Sequence, residues 1–346
     1  MNDPRDEVPG RVAAIRICAS LAPVFGVARE REEGGWELCP HFSGFTPQDA
    51  RDSMGPVFRG LAREAAQSGH RAAYEECMQA ASRIDGEPVD ELAVLGTRYR
   101  VVRAERFIRT GPAGPEPPRP ADPDPGEPGR AHEVPDPAAG FVIDPVTATG
   151  MSEGILKVEL LSCAYPEGAV PAQVRGDSVR AGQAHPGGVL LPATFMTAEK
   201  AEGRWVPEGP QTSAAPQAAR DSLALYLRVM APWKLSLGPG EAAVYAAAAD
   251  RLDAERSDEM EVAGRRFRVV RVERLVRIGP DGPEGPRPSD PDPQPPVMMQ
   301  AQQLRGEGLL TDQDDDAPIE LDEHAKKFAQ LFHQEEERRR KRLGKH

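Results

Sequence analysis

Cysteine is scarce: four in 346 residues, at Cys18, Cys39, Cys77 and Cys163, with no CxxC pair. A disulfide framework or a structural zinc site needs closer or more regular spacing, so neither is expected. Isolated thiols in a reducing compartment are the expectation. No uncharged apolar run approaches the roughly 18 residues that a membrane helix requires. The opening MNDPRDEVPG is acidic and has no apolar core, which argues against a secretion signal and for a cytoplasmic location. Positive charge also falls short, with 43 Lys and Arg against 55 Asp and Glu and a net charge of −12. A general nucleic-acid or anionic-membrane binder needs the opposite balance. Familiar catalytic signatures are missing as well: there is no P-loop, GxGxxG, GxSxG or HExxH, and no Ser or Cys can be nominated as a nucleophile. No cofactor and no metal site are expected.

Proline is the opposite case. The chain has 36 prolines and a mean hydropathy of −0.52, so long stretches must lie outside any core. Only seven basic residues are Lys, and with abundant Ala, Gly and Pro the sequence has the look of a high-GC genome. The length permits two ordinary domains, or one large domain with a tail.

Much of that proline sits in a phrase the chain contains twice. Residues 96–125 read GTRYRVVRAERFIRTGPAGPEPPRPADPDP and residues 264–293 read GRRFRVVRVERLVRIGPDGPEGPRPSDPDP, identical at 21 of 30 positions. The first part of each alternates as a strand, preceded by DELAVLG or DEMEVAG and a hairpin turn placed at Gly96-Thr97 and Gly264-Arg265. The second part cannot supply ladder donors and reads as polyproline or irregular arm. A disposable linker need not repeat its sequence, so both arms are expected to lie against folded structure.

Upstream, the pattern is duplicated while residue identities drift. A Gly-turned hairpin ends at Trp36 in the first copy and Trp205 in the second, where a Trp usually lids a core. Thr46, Pro47 and Asp49 open a helix as a capping box, with Met54, Val57, Phe58, Leu61 and Ala65 on one face. Leu223, Tyr226, Leu227 and Met230 repeat that stripe, and Pro232 is expected to end the second helix early. Second helices are expected around 71–84 and 240–254. The connecting region offers strand-like AGFVID and GILKVELL and a short helix through 171–184; the C-terminal residues, with Glu335–Arg339, Glu336–Arg340 and Glu337–Lys341 at i, i+4, read as a charged helix.

The architecture expected is α+β: tandem duplicated hairpin–helix–helix–hairpin units with antiparallel sheets, related by a pseudo-twofold. Its parts are a first unit with its arm (11–125), connecting strands and insert (126–188), a second unit with its arm (189–305), a disordered acidic linker (306–318) and the charged helix (319–346).

The polar feature most in need of a reason is the tetrad in mid-strand, Arg103-Ala104-Glu105-Arg106 and Arg271-Val272-Glu273-Arg274. Charges there cost burial energy unless paired. A salt-bridge lattice is the plain account; the functional one is an anion site at the junction of the copies, with Arg103, Glu105, Arg106, Arg271, Glu273 and Arg274 as its residues and the arginines as fork donors. Asp122, Asp124, Asp290 and Asp292 of the Asp-Pro-Asp-Pro runs read as turn and cap residues rather than cation ligands. His185 stands without a partner, and Arg338–Arg342 read as a solvated helix end, neutralised by neighbouring glutamates.

The paired strand-and-arm phrases, with GMSEGILKVELL, HPGGVLLPATFM and ARDSLALYLRVMAPW, resemble an uncharacterised actinobacterial, Streptomyces-type family known only as a domain of unknown function, over about 20 to 310. The resemblance implies an actinobacterial, cytoplasmic origin and carries across no reaction, cofactor or catalytic residue. The reading is a non-catalytic binding or scaffolding protein that engages a protein or small anionic ligand between its repeat units. The alternatives are an enzyme with a site built from the tetrads and His185, and a regulatory nucleic-acid contact through the basic tail.

Overall fold

The computed structural model describes residues 16–40, 42–146, 149–308 and 323–343. Strand β1 (Arg16–Glu30) turns through Gly34 and Gly35, both left-handed, into β2 (Trp36–Leu38). Helices α1 (Pro47–Gln67) and α2 (Arg71–Gly86) follow, then β3 (Glu91–Val94) and β4 (Thr97–Gly111). A two-residue β5 (Gly114–Pro115) folds back on β4, and the first arm leads to a short β6 (Val142–Ile143). Helices α3 (Met151–Leu161) and α4 (Ala172–Ala184) connect the halves. The second half runs β7 (Gly187–Ala201), β8 (Arg204–Pro207), α5 (Pro216–Leu225), a π-helical turn (Tyr226–Met230) and α6 (Ala231–Lys234). It continues with α7 (Pro239–Glu255), β9 (Glu259–Val262), β10 (Arg265–Gly279) and β11 (Gly282–Pro283). Helices α8 (Val297–Gly306) and α9 (Glu323–Leu343) complete the described chain.

The chain is thus mixed helix and antiparallel sheet, but the strands form one sheet where separate sheets were expected. Its order is β6-β2-β1-β4-β10-β7-β8, with β3 and β5 beside β4, and β9 and β11 beside β10. The reason is length. β3 and β9 span four residues each, whereas β4 and β10 span fifteen. Their free C-terminal halves pair with each other, Val272 opposite Ile108, Arg274 opposite Arg106 and Val276 opposite Ala104.

Alternation along β4 sends side chains to two cores. Tyr99 and Val101 pack with Phe25, Met54, Phe58, Cys77 and Ile84 beneath α1 and α2. Val102 and Ala104 pack with Trp36, Leu38, Ile143 and Val276 on the opposite face. Phe267 meets Leu223, Leu227, Tyr245, Ala249 and Leu252 under the second helix pair. Each fully buried Leu, Phe or Met contributes about 1.5–3 kcal/mol, so these stripes hold the helices to the sheet. The capping box at Thr46 and Asp49 is present as read.

Several local expectations need correction. GILKVELL is helix α3, not strand; Leu156 and Leu160, one turn apart, pack on Phe107 and Leu275. The hairpin turns centre one residue earlier than placed, at Leu95-Gly96 and Ala263-Gly264, because this turn needs positive φ at both central residues (51° and 80°; 48° and 76°). Pro232 does not end its helix; the chain rewinds into the π turn before it and continues to Lys234. Helix α8 had no forewarning in the pattern. The acidic linker lies, from 309 on, outside the described residues.

Candidate functional site

The tetrads sit where β4 and β10 begin to diverge, and the proline arms fill that divergence crosswise. The Arg103 N–H donates to Glu284 O of the second arm at 2.9 Å, and the Arg271 N–H to Glu116 O of the first at 2.8 Å. Each arm therefore completes the ladder of the other half's strand. Side chains repeat the exchange. Arg103 Nε donates to both carboxylate oxygens of Asp290 at 3.1 and 3.0 Å, and Arg271 Nε to both of Asp122 at 3.0 Å. Arg100 Nη1 reaches the carbonyls of Asp281 and Pro283, and Arg268 Nη1 those of Ala113 and Pro115.

The arms end at the helix N-termini of the opposite half. Asp292 accepts the Gln48 N–H of α1 at 3.0 Å and pairs with Arg51; Asp124 accepts the Gln217 N–H of α5 at 2.8 Å and pairs with Arg220. Helix starts leave backbone donors unpaired and carry partial positive charge, so a carboxylate is well placed there. The turn-and-cap reading of these aspartates holds, though the helices capped belong to the other half of the chain. Arg51 and Arg220 were passed over in the sequence. Their signal was the phrase PQDAR repeated as PQAAR, kept while the surrounding stripe changed.

The glutamates of the tetrads are enclosed by guanidiniums. Glu105 accepts from Arg287 at 2.8 Å and Arg277 at 3.2 Å and contacts Arg103 at 3.5 Å; Glu273 accepts from Arg119 at 3.0 Å and from Arg271. Burial alone would raise the Glu105 carboxyl, but Arg277, Arg287 and Arg103 together hold it below its ordinary value.

The last arginine of each tetrad is different. Arg106 and Arg274 stand opposite one another on the central ladder, 1% and 2% exposed, with no carboxylate in ion-pair range among the described residues. Arg106 donates to the carbonyls of Ala22 (2.6 Å) and Pro210 (2.7 Å), and Arg274 to that of Pro192 (2.9 and 2.7 Å). The register of β1 shifts between Leu21 and Val24, and that of β7 opposite Val272–Arg274, so Ala22 and Pro192 lie in bulges whose carbonyls leave the ladder. The arginines recover them. Burial lowers both guanidiniums to about 10, and for Arg274 nearby Arg106 adds to the lowering while Asp136 opposes it.

The other candidates fall elsewhere. His185 ends α4 beside a cavity of about 220 Å³ that Glu284 and Arg287 also line, one ion pair removed from Glu105. Burial lowers its imidazole, and its Nδ1 is buried without a hydrogen-bond partner among the described residues. In the basic tail, Glu335 takes up both Arg338 and Arg339 on α9. No helix among the described residues is long and apolar enough to cross a membrane.

Fold and site together define a protein whose halves share one antiparallel sheet and clamp each other's proline arms through buried arginine–carboxylate pairs. The chain belongs to the DUF5954 family, a family of unknown function whose model matches residues 6–293. The match takes in both strands and both arms and begins ahead of the stretch on which the resemblance was read. No curated protein and no solved structure matches the chain.

Proposed function

We propose that the chain is a non-catalytic binding protein that takes up a small anionic ligand between its two repeat units, at Arg106 and Arg274. One observation carries this reading: two buried guanidiniums face each other across the ladder, compensated by carbonyl dipoles and no carboxylate among the described residues. Like charges in a low-dielectric setting repel, and an anion with planar or tetrahedral oxygens offsets both at once. Arg106 Nη2 and Arg274 Nη1 make no hydrogen bond among the described residues, which leaves a donor on each for such a ligand. Arg103, Glu105, Arg271 and Glu273 then hold the two strands in register around it. Their pairing weighs against the enzyme built from the tetrads and His185, since each tetrad carboxylate is engaged by at least two arginines. The pairing of Arg338 and Arg339 with Glu335 likewise weighs against a nucleic-acid contact through the tail.

The same reading takes the halves as a tandem duplication related by a local twofold through the Arg106–Arg274 pair. What supports it is that ladder partners fall symmetrically about that pair and that arm contacts correspond one for one: Asp290–Arg103 with Asp122–Arg271, and Asp292–Arg51 with Asp124–Arg220. Superposing 35–111 on 203–279 tests the duplication; helices and hairpins that fail to coincide within a few ångströms remove it. Calorimetric titration with inorganic phosphate, sulfate and succinate tests the binding. The expected result is saturable uptake of at least one anion at one per chain, weakened tenfold or more by Arg274→Lys, which keeps the charge and loses the fork. Absence of saturable uptake of all three overturns the site.

A further inference from the structure

The second half holds a cavity of about 420 Å³ between β7, the loop after β8 and the rewound helix, within the range of small-molecule sites. Its polar lining includes Glu208, Tyr226 and Lys234, and its apolar lining includes Met196, Leu223 and Met230. The wall is the π turn Tyr226–Met230, a distortion that recurs at functional sites. In the first half the matching stretch, Val57–Leu61, lies inside the unbroken helix α1.

The charges at this cavity are unevenly paired. Arg265 grips Glu199 with two nitrogens, at 2.6 and 2.7 Å, and donates to Tyr226 Oη at 2.8 Å. Glu208 is left 4.0 Å from the same guanidinium, with Glu199 as its neighbouring carboxylate. Arg265 holds Glu199 below its ordinary range, while burial, then neighbouring Glu199, push Glu208 above it. Glu208 therefore shares Arg265 with Glu199 and holds the weaker part of it. Exposed at the rim, Lys234 Nζ lies 5.6 Å from the Tyr226 ring centroid and has no carboxylate in ion-pair range among the described residues.

Matching positions in the first half carry none of this. Glu208 donates its N–H to Thr197 O as Cys39 does to Val27 O, so Cys39 stands where Glu208 does. By strand register, Arg29 opposite Tyr99 corresponds to Glu199 opposite Phe267. Thr97 and Val57 occupy the places of Arg265 and Tyr226 in the aligned copies. The second half carries a carboxylate pair, a phenol and an amine around a cavity beside its π turn, where the first half has an unbroken helix.

The geometry points to a binding site for a small zwitterion of the amino-acid class, with its ammonium on Glu208, its carboxylate on Lys234 and an apolar side chain against Met196, Leu223 and Met230. A cation alone meets Lys234 unfavourably, and an anion alone meets the carboxylate pair. Only a ligand with both charges answers both groups. Pro210, whose carbonyl accepts from Arg106, also lines this cavity, but the groups that would hold the zwitterion are Glu208 and Lys234, so either site can fail without the other.

Calorimetric titration of the full chain with the twenty protein amino acids tests it, with 3-methylbutylamine and 4-methylpentanoate as the one-charge counterparts of L-leucine. At least one apolar L-amino acid should bind saturably at one per chain; where leucine binds, each counterpart should bind at least tenfold more weakly. Lys234→Ala, at an exposed position, and Glu208→Gln should each weaken amino-acid binding tenfold or more. Lys234→Ala keeps the test decisive if the half-buried Glu208→Gln lowers the melting temperature. No saturable binding by any amino acid overturns the proposal. So does a one-charge counterpart that binds as well as leucine, or wild-type affinity in Lys234→Ala.

Discussion

Asp292, near the end of the second arm, accepts the backbone N–H of Gln48, 244 residues earlier, at 3.0 Å and so caps helix α1. Its other oxygen meets Arg51, itself buried and paired with Asp90. The arm is therefore structural at its far end as well as at the tetrad.

Removing that contact should loosen α1 in two separable steps. Asp292→Asn keeps a cap acceptor and loses the charge opposite Arg51; Asp292→Ala loses both. A lost cap costs about 1 kcal/mol, and an uncompensated buried arginine costs up to about 3–5 kcal/mol. Asp90 still holds Arg51, so the lower part of that range applies. Urea denaturation should rank wild type above Asn and Asn above Ala. Equal stability of all three would mean that the arm carries no load there.

The two arm turns are fitted to tryptophans. Gly282 has φ +115°, and a Cβ on it would lie 2.5 Å from Trp36 Nε1; Gly114 has φ +107°, and a Cβ would lie 2.5 Å from Trp205 Nε1. Each Trp in turn stacks on an arginine that holds the arm's carbonyls, Arg100 at 5.0 Å and Arg268 at 4.7 Å. Gly282→Ala and Gly114→Ala should each destabilise the chain by more than about 1 kcal/mol, since both backbone conformation and space oppose a side chain. Melting curves and the tryptophan emission maximum read the effect together. An unshifted emission with an unchanged melting temperature would contradict the packing described.

Local structure was largely legible in the sequence, and long-range pairing was not. The Thr46 capping box, the Met54–Phe58 stripe and the Gly34-Gly35 hairpin depend on residues near in sequence, where periodicity and turn chemistry act. GILKVELL misled because a short apolar run does not separate strand from helix, and Leu156 and Leu160 find their partners on distant strands. The repeat revealed that the arms matter. It gave no sign that each arm crosses to the other half, since identical phrases fit either strand equally well. The tetrads were visible as buried charge, but the difference between Arg103, which meets Asp290, and Arg106, which meets only carbonyls, depends on strand parity and on the bulges. The Glu208 cavity follows from a π turn that no periodicity announced.

Helix α9 docks on the rewound helix around the buried carboxylate of Glu335, with Arg338 reaching Asp250 and Asp253 of α7 as well. Glu335 lies between Arg228 (3.6 Å), Arg338 (2.7 Å) and Arg339 (2.9 Å), and Phe328 meets Trp233 at 5.2 Å. Burial would raise the Glu335 carboxyl, but Arg338, Arg339 and Arg228 hold it low. Glu335→Gln should release Arg338 and Arg339 and remove one of the carboxylates around Arg228, which keeps Asp250 and Asp253, and so free the helix more often. Brief trypsin treatment should then cleave the Arg-rich end several times faster than in wild type, while the melting temperature of the sheet domain moves little. Unchanged cleavage would show that the aromatic contact and the pairs of Arg338 with Asp250 and Asp253 fix the helix without Glu335.

Glu105 provides the sharpest test of the central lattice, because its effect has a sign in pH. Its folded-state carboxyl lies below the ordinary value of 4.5, held there by Arg277, Arg287 and Arg103 against the cost of burial. A depressed carboxylate adds stability that is fully present above the unfolded-state pKa and is lost as pH falls through the folded-state value. Urea midpoints should therefore be flat in this contribution at pH 6 and should decline below about 4.5. Glu105→Gln should lower stability at pH 6 by about 3–5 kcal/mol, the cost of leaving buried guanidiniums unpaired. It should also flatten the acid decline relative to wild type. Adding Arg277→Met to Glu105→Gln removes one of the stranded cations and should recover part of the loss, because an apolar side chain of similar volume replaces a buried charge that has lost its partner. A double variant less stable than Glu105→Gln alone would mean that Arg277, which also donates to Leu161 O at 3.1 Å, matters more to α3 than to the glutamate.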